Sequence, residues 1–424
     1  MTEDVLHYIW KTQSFNLSNL TSVKGDSIRI IHAGRHNEDS GPDFSASRIL
    51  INNVEWVGDV EIHVKTSLWN THRHQHDPAY NKVILHIVLH NDADIYREDG
   101  TEIPTLELEK LVSEKFLTKY KMIMESLDSI ICKPFFGDVD YISKLSTYNK
   151  VLVERLERRS ESILVSLDAL KGDWEQVSLH LLFEYFGFKK NNEAFKHLAG
   201  IMDYKILAKL KSLEEVEAYL FGVAGFLVGA GKENNYFINL QNKFIWLIRK
   251  LNISVSPMAL TWWKFMRMRP ANFPTLRIAQ LAALIFEKKH LFKSLIEVLP
   301  KDATIFFTAK TSSFWKNHYH FNKKAESSLK GIGGQSSRSL GINVAAPLLM
   351  AYGIYMTDDH FKLKAITFLE VQKPEENVII RRWNSLGVNF ANAAETQGAI
   401  ELFNNYCLKH RCLKCSIGHK ILGS

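Results

Sequence analysis

Asp43 and the alternating segment Asp59–Lys65 are the residues of this chain best suited to do chemistry. Asp43 lies in the run Gly41-Pro42-Asp43-Phe44. In the second segment apolar and polar residues alternate, which predicts a half-buried β-strand. Its polar face would carry two acids, an imidazole and an amine, namely Asp59, Glu61, His63 and Lys65. With Asp43, these groups can hold a divalent cation and a proton-transfer group beside a phosphate.

The elements that must position these residues are readable in the first 95 residues. Thr2 and Asp4 can cap a helix, and the pair Asn52-Asn53 predicts a hairpin turn because Asn tolerates positive φ. A His-rich stretch, 69–80, is expected to be a loop or a short helix. The expected strands are 27–32, 47–51, 54–65 and 83–89. The order is therefore helix, three strands, an irregular or helical segment, and a further strand.

Beyond residue 110 the apolar residues recur at helical spacing, as in Leu152, Leu156 and Ile163. We therefore predict an α+β fold with two domains: a small α/β domain over 1–110 and a mainly helical domain over 111–424. The helical domain would carry a basic loop at 303–340 and a C-terminal cysteine cluster. No fixed-period repeat is visible, so a solenoid is not supported.

Composition limits the class of protein without deciding its function. The 424 residues are 46% hydrophobic and 23% charged, as in ordinary soluble proteins. The formal net charge of +7 is only mildly basic and does not by itself indicate nucleic-acid binding. The acidic N-terminus argues against a secretory signal, and the longest apolar run, 218–231, is too short to span a bilayer. We expect a cytoplasmic protein.

The element order and the acidic motifs resemble the PD-(D/E)XK nuclease superfamily. The resemblance implies that Pro42-Asp43 supplies the first metal ligand and Glu61 the second, with Mg²⁺ or Mn²⁺ as the cofactor. It implies catalytic roles for Asp43, Glu61, His63 and Lys65. His63 stands where that pattern has a Lys. Either Lys65 supplies the missing positive charge or His63 acts as a general base.

The chain also resembles, over essentially its full length, an uncharacterised bacterial family known only as a domain of unknown function. The residues that carry this resemblance are Gly41–Phe44, Gly58–His63, Arg269–Pro274 and the terminal cysteines. This second resemblance implies no particular activity.

The His-rich segment offers a second group of polar side chains. His72, His74 and Asp77 can ligate zinc or manganese, since imidazole and carboxylate suit both ions. Alternatively, His72 and His74 line the rim of the active-site cleft and contact phosphate. A plain polar loop, with His86 as a satisfied strand histidine, is the structural alternative.

The C-terminal segment has the spacing Cys407-x4-Cys412-x2-Cys415-x3-His419. These four residues can complete a tetrahedral zinc site. Cys132 is the remaining cysteine and would raise the count to four thiolates, which also suits an iron–sulfur cluster, the less favoured alternative. Burial as small apolar side chains is the structural alternative.

Basic residues in the helical region are candidates for contacts with a nucleic-acid backbone. The candidates are Arg267, Arg269, Arg277, Lys323 and Lys324. For the arginines, anchoring of a loop between two helical layers is the alternative.

We therefore predict a metal-dependent nuclease that hydrolyses phosphodiester bonds in DNA or RNA. Two other functions stay open: a catalytically inactive nucleic-acid-binding protein, and a scaffold whose helical domain binds another protein.

Overall fold

The computed structural model describes residues 1–229, 234–326 and 331–423. The fold is α+β, as predicted, with a small sheet near the N-terminus and many helices after it. Two compact units are present: residues 1–147 with 402–424, and residues 148–401. Among the described residues, no helix is long and apolar enough to cross a membrane.

A mixed sheet forms the centre of the first unit. Its strands are β1 (Ile28–His32), β2 (Arg35–His36), β3 (Phe44–Ile51), β4 (Val54–Lys65), β5 (Val83–His90) and β6 (Thr105–Glu107). The order is β1-β3-β4-β5-β6, with β2 also paired to β3. Strands β1, β3 and β4 are antiparallel, whereas β5 runs parallel to β4 and β6 parallel to β5.

The expected turn and helix are both present. Asn52 and Asn53 join β3 to β4 with φ values of 49° and 63°, the left-handed conformation that Asn tolerates. Helix α1 (Glu3–Thr12) buries the apolar residues that the sequence places on one face, including Ile9 and Trp10. It packs on β4.

Strand β4 differs from the expected half-buried strand. Val60 and Ile62 are buried, but Glu61 and His63 on the other face are also only 5% and 2% exposed. The reason is tertiary, because both α1 and the segment after β4 contact this strand. The polar residues of β4 therefore line an interior instead of a solvated surface.

Further short elements complete the first unit. They are α2 (Leu68–Thr71), 3₁₀ turns at His74–His76 and Pro78–Lys82, α3 (Glu114–Met124) and α4 (Lys133–Phe136). The C-terminal segment returns to this unit. Tyr8 of α1 stacks on Phe116 and contacts the ring of His419. The first unit thus extends beyond the predicted boundary at residue 110, since helical periodicity does not reveal which core a helix joins.

The second unit is helical. Its chain contains α5 (Tyr141–Ala169, which begins in the first unit), α6 (Trp174–Phe186), α7 (Phe188–Ile201), α8 (Tyr204–Leu207), α9 (Leu213–Val223), α10 (Asn235–Lys250), α11 (Pro274–Glu287), α12 (Leu291–Glu297), α13 (Ala303–Phe306), α14 (Gly334–Leu340), α15 (Ala346–Tyr355), α16 (Asp359–Glu370), α17 (Val378–Asn384) and α18 (Ala393–Leu402). A small hairpin, β7 (His318–His320) with β8 (Lys323–Lys324), interrupts the predicted basic loop. Residues 327–330 of that loop lie outside the described residues.

The chain ends in the first unit with a π-helical turn at Phe403–Cys407, a 3₁₀ turn at Cys412–Lys414 and helix α19 (Ser416–Leu422).

Candidate metal-binding site

Asp43 and Glu61 meet across the antiparallel pair β3–β4. Asp43 immediately precedes β3, and its neighbour Phe44 pairs with Val60. The backbone N–H of Asp43 donates to Glu61 Oε2 at 3.1 Å, and the N–H of Ile62 donates to Asp43 Oδ2 at 2.9 Å. These reciprocal bonds hold both carboxylates at one place. The structure thus brings these two candidate site residues together.

Imidazoles surround Glu61 on its other side. His63 Nε2 and His74 Nε2 lie 3.5 and 3.4 Å from Glu61 Oε1. His63 Nε2 is also 3.2 Å from His72 Nδ1. One ring nitrogen from each of these three histidines lies within 4.8 Å of the other two, the spacing of a potential metal site.

The segment between β4 and β5 places His72 and His74. Arg73 adopts φ 63°, which turns the chain sharply between the two histidines. The ring of Tyr80 stacks on His74 with centroids 3.8 Å apart. Asp77 accepts a hydrogen bond from Ala79 N and caps the turn Pro78–Lys82. Asp77 therefore caps this turn, and it does not belong to the group formed by His63, His72 and His74.

Two further histidines belong to the site. His86 of β5 is fully buried and pairs in register with Glu61, and its Nε2 lies 2.8 Å from His63 Nδ1. His7 of α1 places its Nε2 3.2 Å from Asp43 Oδ2. Sequence reasoning assigned His86 to a strand but missed its role, and it missed His7. The parallel register of β5 against β4 places His86 beside Glu61, and the sequence alone did not reveal it.

Burial favours the uncharged forms of Glu61, His63 and His86. Burial, together with the charge of Asp43, raises the pKa of Glu61 to about 9. Burial, with repulsion from the other imidazoles, lowers the pKa of His63 to about 2. The pKa of His86 falls to about 3 for the same reasons. At neutral pH Glu61 is protonated and both imidazoles are uncharged.

Three imidazole nitrogens here are buried and lack hydrogen-bond partners: His7 Nε2, His74 Nε2 and His86 Nδ1. His7 Nε2 and His74 Nε2 lie 3.2 and 3.4 Å from carboxylate oxygens without making a hydrogen bond, and imidazole and carboxylate groups are donors that suit a transition-metal ion. The residues present thus fit a divalent ion with mixed imidazole and carboxylate ligands.

The contact between His63 and His86 also favours one tautomer. If His86 Nε2–H donates to His63 Nδ1, the unpartnered His86 Nδ1 is an acceptor, which costs less than a buried unpaired N–H. His63 then carries its proton on Nε2, facing His72 and Glu61. In this state His63 is a neutral hydrogen-bond donor through Nε2, and its Nδ1 is occupied by His86.

Lys65 lies at the exposed end of β4, where its charge acts on Asp92. Within the described part of the chain, Lys65 makes no hydrogen bond or ion pair with Glu61 or His63. Asp59 accepts a hydrogen bond from Ala46 N and supports the bulge in β3. Of the four polar residues expected on one face of β4, only Glu61 and His63 therefore lie at the site.

The predicted basic contacts lie in the second unit. Arg277 is 4% exposed, donates to Gln280 and Asn272, and lies over the ring of Phe188. Burial lowers its pKa to about 10. This burial supports the loop-anchor alternative for Arg277 over the phosphate contact, although its Nε has no hydrogen-bond partner. Arg267, Arg269, Lys323 and Lys324 are exposed.

The C-terminal ligand candidates separate into two kinds. Cys407, Cys412 and Cys415 are buried, as is Cys132. His419 is exposed, and its Nε2 lies 2.6 Å from the carbonyl oxygen of Leu413. That nitrogen is engaged outside the buried thiols.

Residues 3–378 match the family described as "Protein of unknown function (DUF2851)", and the chain belongs to this family. No curated protein and no solved structure matches the chain.

Proposed function

We propose that this member of the DUF2851 family is a metal-dependent phosphodiesterase acting on DNA or RNA. The observation that carries the proposal is the meeting of Asp43 and Glu61 from adjacent strands, with the unpartnered His74 Nε2 beside Glu61. The resemblance to the PD-(D/E)XK pattern supports the same reaction class.

Asp43 and Glu61 would hold the ion, with an imidazole of the group His63, His72 and His74 as a further ligand. A divalent cation bound there would lower the pKa of a water molecule and offset the charge of a phosphate. The imidazole favours Mn²⁺ over Mg²⁺, because Mg²⁺ prefers oxygen ligands alone.

His63 takes the place of the usual Lys with a different function. Its low pKa keeps the ring neutral, so it contributes a hydrogen bond and no charge. The contact with His86 fixes the ring orientation. His63 therefore orients Glu61 or an incoming oxygen atom, and proton removal from water does not depend on this ring.

The entrance of the site is polar and accessible. His72 is exposed, and the side chains of His7 and Asp43 are about one-fifth exposed. A phosphate can therefore approach Asp43 and His72 from solvent. In the second unit, Arg267, Arg269, Lys323 and Lys324 are proposed backbone contacts. Their segments adjoin, since Thr275 Oγ1 donates to the carbonyl oxygen of Tyr319 at 2.6 Å.

The cleavage assay uses the full chain with DNA and RNA, each with Mg²⁺ or Mn²⁺ and with chelator. We expect metal-dependent cleavage that falls at least about 100-fold in Glu61→Gln and Asp43→Asn. Lys65→Gln is the matched control on the same strand and should cleave normally. Calorimetric titration of Mn²⁺ should show loss of binding in Glu61→Gln. The double variant Glu61→Gln with Asp43→Asn should show the same loss.

A second candidate is a nucleic-acid-binding protein without catalysis, favoured by the absence of a lysine at position 63 and by the low basicity of His63. Binding that survives chelation, with no cleavage under any condition, selects this candidate. Absence of both cleavage and binding at low salt rejects both functions and leaves the protein scaffold.

A further inference from the structure

The four cysteines of the chain converge in the first unit from distant parts of the sequence. Cys132 is separated by more than 270 positions from Cys407, Cys412 and Cys415. Their exposed fractions are 6%, 7%, 6% and 8% respectively. These four are all the cysteines of the chain, and all of them are buried in the first unit.

The local elements explain how the four meet. Cys132 immediately precedes α4, and Cys415 immediately precedes α19, which packs on α4. Cys407 ends the turn Phe403–Cys407, which contacts the turn that Cys412 begins. Each cysteine thus lies at the end of an element that contacts one of the others.

The electrostatic interactions among the thiols group the same four cysteines together. Cys407 interacts with Cys132, Cys412 and Cys415. Cys412 interacts with Cys132 and Cys415, and Cys132 with Cys415. The charge of each thiol therefore acts on the others, although among the described residues no three of these sulfur atoms lie within 4.8 Å of one another; a bound ion would draw them together.

The turn around Cys412 is shaped for a close approach of α19. Cys415 N donates to the carbonyl oxygen of Cys412 at 3.2 Å, so Cys412-x2-Cys415 forms one tight turn. Gly418 lies directly against that carbonyl, and any β-carbon there would collide with it. This arrangement resembles the paired-cysteine turns that present two sulfur ligands to a metal.

We propose that Cys132, Cys407, Cys412 and Cys415 bind a structural zinc ion as four thiolates. This set replaces the three cysteines and His419 considered from sequence, because His419 is exposed and its Nε2 is engaged with Leu413. The ion would connect the C-terminal segment to the region of α4. Structural zinc sites are closed, and four buried sulfur ligands leave no position for substrate.

The chemistry is that of ligand exchange. Four S–H bonds break, four Zn–S bonds form, and the protons leave to solvent, with no change of oxidation state. Burial raises the pKa of Cys132 to about 12, and the charge of Lys144 acts in the opposite direction. The binding of zinc offsets the unfavourable burial of thiolate charge, which a metal-free cluster avoids by staying protonated.

The test uses the full chain produced with zinc and, separately, with cobalt in place of zinc. We expect one zinc per chain in the thiolate site and, for the cobalt form, the thiolate-to-cobalt charge-transfer absorption that imidazole and carboxylate ligands do not produce. Cys132→Ser should lower metal retention in dialysis at least tenfold, whereas His419→Gln should leave it unchanged. Glu61→Gln should keep the charge-transfer band, which separates this centre from the site at Asp43.

If Cys132→Ser does not fold, the wild-type protein decides the question. A thiol reagent should release one zinc ion as it modifies the four cysteines, and chelation should make all four reactive. The proposal is overturned if Cys132→Ser retains metal normally or if His419→Gln loses it. It is also overturned if the protein holds iron with acid-labile sulfide, or no metal at all. None of these results bears on the phosphodiesterase proposal.

Discussion

Two buried glutamates, Glu61 in the first unit and Glu401 in the second, show opposite uses of a carboxyl group. Both are nearly inaccessible, at 5% and 3% exposure. Arg155 and Arg158 donate to Glu401 at 3.0 and 2.7 Å. Although burial acts to raise it, these hydrogen bonds leave the pKa of Glu401 below its ordinary value.

Glu61 has the opposite surroundings. Its neighbours are the carboxylate of Asp43 and the neutral rings of His63 and His74. Among the described residues no arginine or lysine forms an ion pair with Glu61, and burial raises its pKa to about 9. Glu401 keeps its charge because arginines pair with it, whereas Glu61, beside another carboxylate and neutral imidazoles, holds its proton at neutral pH.

The largest expected effect is the pH dependence of the metal-free first unit. Native Glu61 titrates near 9 instead of 4.5, so the native state binds more protons across that window and loses stability as pH rises. His63 and His86 titrate near 2 and 3 instead of 6.5, so stability is also lost as pH falls below 6.5. These groups together favour a maximum near pH 6.5.

Glu61→Gln should remove the loss of stability at alkaline pH. The upper limit of that loss is about 6 kcal/mol for the full shift of the Glu61 pKa. Hydrogen exchange of peptides covering β4 and β5, measured in chelator from pH 6 to 9, checks this expectation. A variant with the same pH dependence as wild type would show that Glu61 does not carry the shift.

A smaller but substantial loss of stability is expected for Glu401→Ala. Removing one partner of a buried ion pair leaves Arg155 uncompensated and should destabilise the second unit by about 3–5 kcal/mol. Glu376→Ala, at an exposed position nearby in sequence, should stay within about 0.5 kcal/mol. Urea denaturation of the two variants gives the comparison, and equal midpoints would contradict it.

Arg277→Lys tests the buried anchor of the second unit. A lysine cannot reproduce the bonds to Gln280 and Asn272 or the contact with Phe188, so we expect a loss of about 1–3 kcal/mol. Arg269→Lys is the exposed control and should have little effect on stability. If Arg277 contacted nucleic acid instead, the lysine variant would alter binding at unchanged stability.

The smallest effect is expected for Asp77→Ala. Loss of the cap on the turn Pro78–Lys82 should cost about 1 kcal/mol locally. Because Tyr80 in that turn stacks on His74, affinity for Mn²⁺ should fall modestly while cleavage persists. Complete loss of metal binding would instead make Asp77 a ligand.

Much of the first unit was predictable because local rules determine it. Alternation located β4, Asn52-Asn53 marked the turn, and apolar spacing identified α1. Antiparallel hairpins are local in sequence, so the approach of Asp43 to Glu61 followed from them. The sequence left open whether Arg277 contacts phosphate or anchors a loop, because an arginine at a helix start has the same sequence signature whether it faces solvent or a neighbouring ring.

The sequence by itself determined the α+β class, the hairpin that joins Asp43 to Glu61, and the supply of four cysteines. Tertiary structure alone decided that both faces of β4 are buried, that His86 and His7 join the site, and that Cys132 meets the C-terminal cysteines. The physical reason is that strand and turn preferences act between near neighbours in the chain. The parallel register of β5, the packing of α1 and the return of residues 402–424 depend on contacts between distant segments.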